Sequence, residues 1–255
     1  MNQAAVLDEV AALCERAGPL LFITGAGISA DSGLPTYRGI GGLYDRALTE
    51  EGLAIEEALS APVFAARPDI TWKYLAQIEA NCRGAQPNAA HHAIAALERR
   101  HPGSLVFTQN IDGLHRDAGS RALIEIHGSL HRLRCTECDR SRQVPDYSGL
   151  ALPPACPACG GLLRPDVVLF GEELPLAPLA RFQQALERGF DLVFSIGTTS
   201  VFPYIAGPVL WASQAGIPTV EINPGETRVS KVVDYRLQMG AAEAMGALLS
   251  RLPEA

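Results

Sequence analysis

Lysine is almost missing from this chain: Lys73 and Lys231 are the only two, and arginine supplies the rest of the positive charge. Acidic residues outnumber basic ones and leave a net charge of −7. That balance excludes a general basic footprint for nucleic acid, so no direct nucleic-acid partner is expected. No uninterrupted apolar run approaches the roughly 18 residues of a membrane-spanning helix. The first residues carry no basic cluster followed by an apolar block, so no secretory signal is expected. There is no G-x-S-x-G elbow, no H-E-x-x-H pair and no Walker lysine loop. Elbow-type hydrolysis, helix-borne zinc proteolysis and P-loop phosphate chemistry are therefore set aside.

Apolar residues make up 47% of the 255 residues, which is ordinary for a folded globular chain. The length suits one large domain with an inserted module, or two modest domains. Residues 2–17 read as an amphipathic helix, with Val6, Val10, Leu13 and Ala17 on one face and Gly18-Pro19 as its stop. Leu20-Leu21-Phe22-Ile23 then reads as a buried strand that breaks into Gly25-Ala26-Gly27-Ile28-Ser29-Ala30. A glycine turn after a strand lets backbone approach a pyrophosphate, and the spacing fits a dinucleotide fingerprint. The same spacing also serves a tight turn with no ligand. The expected crossover helix is excluded by Ser32, Gly33, Pro35, Gly39, Gly41 and Gly42. A short helical turn is predicted instead, then a long loop to Tyr44 that carries Tyr37 and Arg38 and suits a lid.

Residues 43–84 read as a small helical region whose last helix, about 69–82, carries Trp72, Leu75, Ile78 and Glu79. Asn88 caps the next helix. Further strands are predicted at 104–107, 123–126, 191–196, 218–222 and 235–237, with helices near 177–188, 204–214 and 240–251. Segment 164–172 is expected to return to the same core as an extended stretch. The strands end in polar or glycine-rich tails: Gly25–Ser29, Thr108–Asp112, His127-Gly128, Gly197–Ser200 and Asn223–Gly225. In an open parallel sheet the ligand lies outside the carboxyl ends of the strands, so five such tails are a stronger signal than one glycine turn. The pattern predicts an α/β chain built on a parallel sheet.

Four of the six cysteines form two C-x-x-C pairs, Cys135/Cys138 and Cys156/Cys159, with seventeen residues between the pairs. This is zinc-ribbon spacing, and four thiolates fill a tetrahedral ion, which makes the zinc structural. Free cysteines and a ribbon point to a reducing, cytoplasmic setting. Asn110 and Asp112 are open to two readings, as turn caps or as ligand groups. His127 is likewise a strand-end histidine or a working base.

These motifs together resemble the sirtuins, NAD-dependent protein lysine deacylases. The resemblance rests on GAGISADSGLPTYRG (25–39), TQNIDGLH (108–115), IHG (126–128), both C-x-x-C pairs, RPDVVLFGE (164–172), GTTS (197–200) and INP (222–224). It implies a Rossmann-type domain (1–42, 85–128 and 165–255) and a smaller domain made of a helical insertion (43–84) and a zinc ribbon (129–164). The acyl-lysine substrate and NAD enter between them. By position, the resemblance assigns NAD contacts to Gly25, Ala26, Gly27, Ser29, Tyr37, Arg38, Gln109, Asn110, Ile111, Asp112, Gly197, Thr198, Thr199, Asn223, Pro224, Gly225 and Ala241. It makes His127 the general base, with Asn110 and Asp112 catalytic. Val168, Phe170 and Gly171 line the lysine tunnel, pairing with substrate backbone as an added strand.

Thr36 and Gly41-Gly42-Leu43-Tyr44 resemble the branch that includes desuccinylases, which read an acidic acyl group with a tyrosine and an arginine three residues apart. Here Tyr74 is followed at that spacing by Gln77, which cannot neutralise a carboxylate. The expectation is therefore a deacetylase. The alternatives are desuccinylase or demalonylase activity, protein mono-ADP-ribosyl transfer, NAD hydrolysis without a protein substrate, or a non-enzymatic NAD or ADP-ribose sensor.

Overall fold

The structure is a computed structural model that describes residues 2–36 and 48–253. In chain order its first part holds α1 (Gln3–Arg16), β1 (Leu20–Thr24), a 3₁₀ turn (Ala26–Ser32), α2 (Ile55–Ala58), α3 (Ala61–Ala66), α4 (Pro68–Cys82) and α5 (Ala89–Arg100). Then come β2 (Leu105–Thr108), α6 (Leu114–Asp117), β3 (Leu123–Glu125), β4 (Gly128–Cys135), β5 (Ser141–Gln143) and β6 (Leu163–Val167). The last part holds α7 (Leu176–Arg188), β7 (Leu192–Ile196), α8 (Pro203–Gln214), β8 (Thr219–Ile222), β9 (Tyr235–Leu237) and α9 (Ala241–Leu249).

Six strands form one parallel sheet in the order β3-β2-β1-β7-β8-β9. The chain winds outward from β1 in one direction and resumes beside it at β7 in the other. This is the Rossmann-type order, and the reversal opens a crevice at the carboxyl ends of β1 and β7. Both faces of the sheet are covered, which explains why β1 is buried at every position. Phe22 points to the layer of α1, α5 and α9, among Val10, Ile94 and Met245. Its neighbours Leu21 and Ile23 point to the layer of α7 and α8, among Phe182, Ile205 and Val209. Rings stack within each layer: Phe22 on its cross-strand neighbour Phe194 at 5.1 Å, and Phe107 of β2 on Phe182 of α7 at 3.8 Å. Each such side chain contributes about 1.5–3 kcal/mol when fully buried.

The second unit is a three-stranded antiparallel sheet, order β5-β4-β6, covered by α2, α3 and α4. Trp72 of α4 sits fully buried between them, donates its Nε1–H to the Leu163 carbonyl at 3.0 Å and meets Tyr147 edge-on at 5.4 Å. The helical insertion and the cysteine module thus share one core.

Segment 164–172 differs from expectation. It does not join the parallel sheet: β6 pairs with β4, and Phe170 then bridges to Ser60. Gly128 permits this, because with φ of +82° a side chain there would place its Cβ 1.9 Å from the Asp166 carbonyl. The backbones approach too closely for any residue but glycine. The helical turn after β1 is as short as predicted, ending at Gly33 with φ of +83°. The lid residues Tyr37 and Arg38 lie outside the described residues.

Candidate active site at the carboxyl ends of the parallel strands

The crevice begins with three glycines packed backbone to backbone. Gly25 N–H donates to the Ile196 carbonyl at 3.1 Å, and Gly27 N–H donates to the Gly197 carbonyl at 2.8 Å. A Cβ on Gly27 would lie 2.7 Å from Gly197 Cα, and one on Gly197 would lie 2.3 Å from the Ile28 nitrogen. The tails of β1 and β7 are thereby welded into one surface. The amides of Gly25 and Gly27 are spent on this weld. The missing side chains of these two glycines are accounted for by their packing against Gly197 and Thr198.

Gln109 continues the surface towards β2. Its Nε2 donates to Thr198 Oγ1 at 2.8 Å, and Asn223 Nδ2 donates to the Thr198 carbonyl at 3.1 Å. Asn223 Oδ1 in turn accepts from Gly225 N–H at 3.0 Å, which folds the Asn223–Gly225 turn over the end of β8. Thr199 lies on the β7 tail, where its carbonyl accepts from Arg228 N–H at 3.2 Å. At the far rim, Asp31 accepts from Ala242 N–H at 3.0 Å and so caps the amino end of α9 beside Ala241. Asp31 escaped the sequence reading because its partner lies 211 residues away.

Ser29, Asn110 and Asp112 form a second cluster. The Ser29 hydroxyl donates to Asp112 Oδ2 at 2.7 Å and accepts from Asn110 Nδ2 at 3.1 Å. Asp112 Oδ1 accepts from Leu114 N–H at 3.0 Å. Burial raises the Asp112 pKa above the ordinary carboxylate value, and the Leu114 and Ser29 hydrogen bonds oppose the shift. These groups, with Ala26, Leu34, Pro35 and Ile111, line a cavity closed on the other side by Ile78, Asn81 and Cys82 of α4. Asp112 thus caps the turn into α6 through Oδ1, while its Oδ2, held by Ser29, lies at the cavity wall. The contribution of α4 to this wall was not foreseen.

His127 stands between the two sheets, at the junction of β3 and β4. Its Nδ1 lies 3.0 Å from the Gln109 carbonyl, which can only accept. Nδ1 therefore carries the proton, and Nε2 presents its lone pair. Nε2 lies 2.7 Å from the Tyr204 hydroxyl, a partner that the sequence did not reveal. Burial lowers the His127 pKa below the ordinary histidine value, and the Gln109 carbonyl works against it.

The chain past β6 runs beside His127: Val168 N–H donates to the His127 carbonyl at 2.9 Å. Phe170 spends its main-chain groups internally, donating to Leu59 at 3.0 Å and accepting from Ala61 at 2.9 Å. Its backbone is thus already paired where an added strand was expected to dock. Gly171, at φ of +83°, turns the chain so that Glu172 reaches Arg164 and Leu169 N–H. Tyr74 is buried in the core of the smaller unit, with its hydroxyl bonded to Glu51, whereas Gln77 is exposed.

The Sir2 family model matches residues 25–203, spanning the glycine turn, both cysteine pairs and the His127 segment. The chain belongs to the Sir2 family. It is 49% identical to NAD-dependent protein deacylase 2 of Pseudomonas aeruginosa over 255 residues, 99% of each chain. It is 42% identical to NAD-dependent protein deacylase 1 of Archaeoglobus fulgidus, covering 92% of this chain and 94% of that one. Among solved structures it is similar to a Sir2 homolog–NAD complex, with a TM-score of 0.85 and 39% identity over 95% of this chain and 92% of the other. A Sir2 protein with a deacetylated peptide and 3′-O-acetyl-ADP-ribose matches at TM-score 0.84 and 28% identity, covering 96% and 97%.

Away from the crevice the Sir2 chain brings together four cysteines that can hold a metal ion. The Sγ atoms of Cys135, Cys138, Cys156 and Cys159 all lie within 4.8 Å of one another. Three of the separations are 3.5, 3.9 and 3.6 Å. A tetrahedral zinc with bonds of about 2.3 Å sets its sulfurs about 3.8 Å apart, so the donor set fits the ion in number, type and spacing. Every position is taken by protein, which suits a structural role.

Proposed function

We propose that this protein is an NAD-dependent protein-lysine deacylase that favours acetyl and other neutral acyl groups. The observation that carries the reading is the placement of His127, with Nδ1 against the Gln109 carbonyl and Nε2 in the crevice where five strand tails meet. Binding alone does not need a base, so this geometry argues against a passive sensor. In the overall reaction NAD is consumed: the bond to nicotinamide breaks, the acyl oxygen bonds to C1′, and water yields free lysine and O-acyl-ADP-ribose.

The residues divide this work. The glycine weld and Gly197-Thr198 accept the dinucleotide backbone at close approach, while Asn223, Pro224, Gly225 and Ala241 surround its adenosine end. Asn110 and Asp112, tied by Ser29, hold the carboxamide of nicotinamide and orient it for departure; Gln109 and Ile111 flank the attached ribose. His127 takes the proton of a ribose hydroxyl at Nε2, and its low pKa keeps it unprotonated for that task near neutral pH. Val168 and the Phe170 side chain guide the acyl-lysine, and Arg164–Glu172 fixes the loop that carries them.

Acyl preference follows from what surrounds Tyr74. Lys73 and Tyr74 hold the Glu51 carboxyl down to about 2, so it stays anionic, and the Tyr74 hydroxyl is occupied by it. With Gln77 at the position where the resemblance expects an arginine, an acidic acyl chain would meet the Glu51 carboxylate beside Tyr74, already paired with Lys73. Matched acetyl-, malonyl- and succinyl-lysine peptides, incubated with NAD and read by mass spectrometry, test both parts. Acetyl turnover should exceed succinyl turnover by at least tenfold, with acyl-ADP-ribose formed. Nicotinamide release without peptide deacylation would overturn the reading in favour of NAD hydrolysis. His127→Ala should abolish deacylation and leave NAD affinity within about threefold, since the ring serves as base and not as anchor.

A further inference from the structure

Tyr204 is the one partner of the His127 base nitrogen that the proposed mechanism leaves unused. It lies in the first turn of α8, 77 residues from His127. Its hydroxyl sits 2.7 Å from Nε2, the ring meets the imidazole edge-on at 6.0 Å, and Phe202 stacks on it at 5.4 Å. The tail that brings it there is constrained. Ser200 is the only non-glycine described residue with positive φ, at +53°, and its N–H donates to Thr198 Oγ1 at 3.2 Å. Thr198 Oγ1 also accepts from the Gln109 side chain, and the Gln109 carbonyl holds His127 Nδ1. The contacts close a ring: Gln109 grips one side of the imidazole and, through Thr198 and the strained tail, fixes the phenol on the other.

Since Nδ1 carries the hydrogen, Nε2 can only accept, so Tyr204 is the donor. Burial pushes the phenol up to about 12, and it remains a donor throughout the working range. A lone pair serves one donor at a time. A ribose hydroxyl that is to lose its proton to Nε2 must therefore take the place that Tyr204 holds.

We propose that Tyr204 is a positioning residue for deacylation: its hydroxyl holds the His127 lone pair towards the crevice in the free enzyme and yields it to the substrate ribose hydroxyl on binding. A donor to Nε2 favours the neutral ring, so Tyr204 keeps the base ready until substrate arrives. The groups facing the imidazole are the neutral Gln109, Tyr204 and Phe202, and no described residue forms an ion pair with it. This rests on His127 being the base.

The test is Tyr204→Phe in the full zinc-loaded protein, followed by kinetics and by nitrogen-15 NMR of labelled histidine, with His127 assigned by difference against His127→Asn. The His127 titration midpoint should rise by about half a pH unit or more, roughly threefold in proton affinity. The acidic limb of kcat/KM, which reports the free enzyme, should rise with it. The limb of kcat should stay in place, because the ribose hydroxyl holds Nε2 in both proteins. An unmoved midpoint and unmoved kcat/KM limb overturn the inference, as does an equal shift of both limbs. Should the variant fail to fold, the wild type decides: saturating ADP-ribose should shift the Nε2 resonance, and an unchanged resonance overturns the exchange. Deacylation surviving in His127→Ala would instead sink the base assignment, while NMR would still report the Tyr204 contact.

Discussion

In the proposed reaction the residues of the crevice carry both stability and chemistry, and Asp112 is where the two should pull apart. Its pKa is raised by burial, so the folded chain binds its proton more tightly than the unfolded chain does. Stability contributed by this group therefore falls as pH rises from the unfolded pKa through the folded one, and above the folded pKa the ionised carboxylate is a cost. Asp112→Asn should raise the thermal midpoint at pH 7 by about 2–4 °C while reducing deacylation at least a hundredfold. The gain should disappear near pH 3, where both states are protonated. A midpoint that falls at pH 7 would show that the Ser29 and Leu114 hydrogen bonds outweigh the desolvation. Asp112 was visible in the sequence because it sits in a strand tail beside Asn110. Tyr204 was not: a single hydrogen bond between side chains 77 residues apart leaves no periodicity or spacing to read. The glycines fall between these cases. Gly25 and Gly27 were legible as a close-approach turn, but that their partner would be Gly197 depends on β1 pairing with β7.

At the scale of elements, the apolar runs and their polar tails made the strands of the parallel sheet legible, and Asn88 marked the start of α5. The destination of segment 164–172 was not legible. Its run of Val167-Val168-Leu169-Phe170 satisfies either sheet, and the choice is made by the close backbone approach at Gly128. The result ties the metal centre to the crevice. β4 and β6 carry or flank the cysteines, Trp72 of α4 packs on them, and α4 also supplies Ile78, Asn81 and Cys82 to the cavity wall. Removing zinc with a strong chelator should therefore lower the thermal midpoint, and activity should fall in step with loss of structure. An apo-protein that keeps its circular dichroism and melting curve but not its activity would contradict a structural role for the metal. Trp72→Ala should act on the same core, costing about 3–5 kcal/mol with the zinc still bound.

At the scale of the whole molecule, the described residues line cavities at both ends of the parallel strands, and the proposed dinucleotide site is the one at the carboxyl ends. The chain enters β1 from Ala17 and β2 from His101, so the space lined by Cys14, Ala17, Arg100 and His101 lies at the amino ends of the strands. The glycine weld, the Asn110–Asp112 cluster and His127 lie at the carboxyl ends, where the strand order reverses and the second unit leans over the crevice. The second unit is fastened there through main-chain bonds: Leu130 N–H to the Ile111 carbonyl at 3.1 Å and Val168 N–H to His127 at 2.9 Å. A ligand in the crevice should therefore slow opening on both sides of it at once. Hydrogen exchange with saturating ADP-ribose should show at least tenfold slower exchange in residues 25–29, 109–113 and 197–200, with protection extending into 128–130 and 168–171. Residues 14–18 and 100–104 should exchange at their ligand-free rate. Protection at that amino-end cavity instead would place the nucleotide at the wrong end of the strands. Protection limited to 25–29 would mean that the five tails do not act as one site, and the assignment of Asn110, Asp112 and His127 to a shared reaction would fall with it.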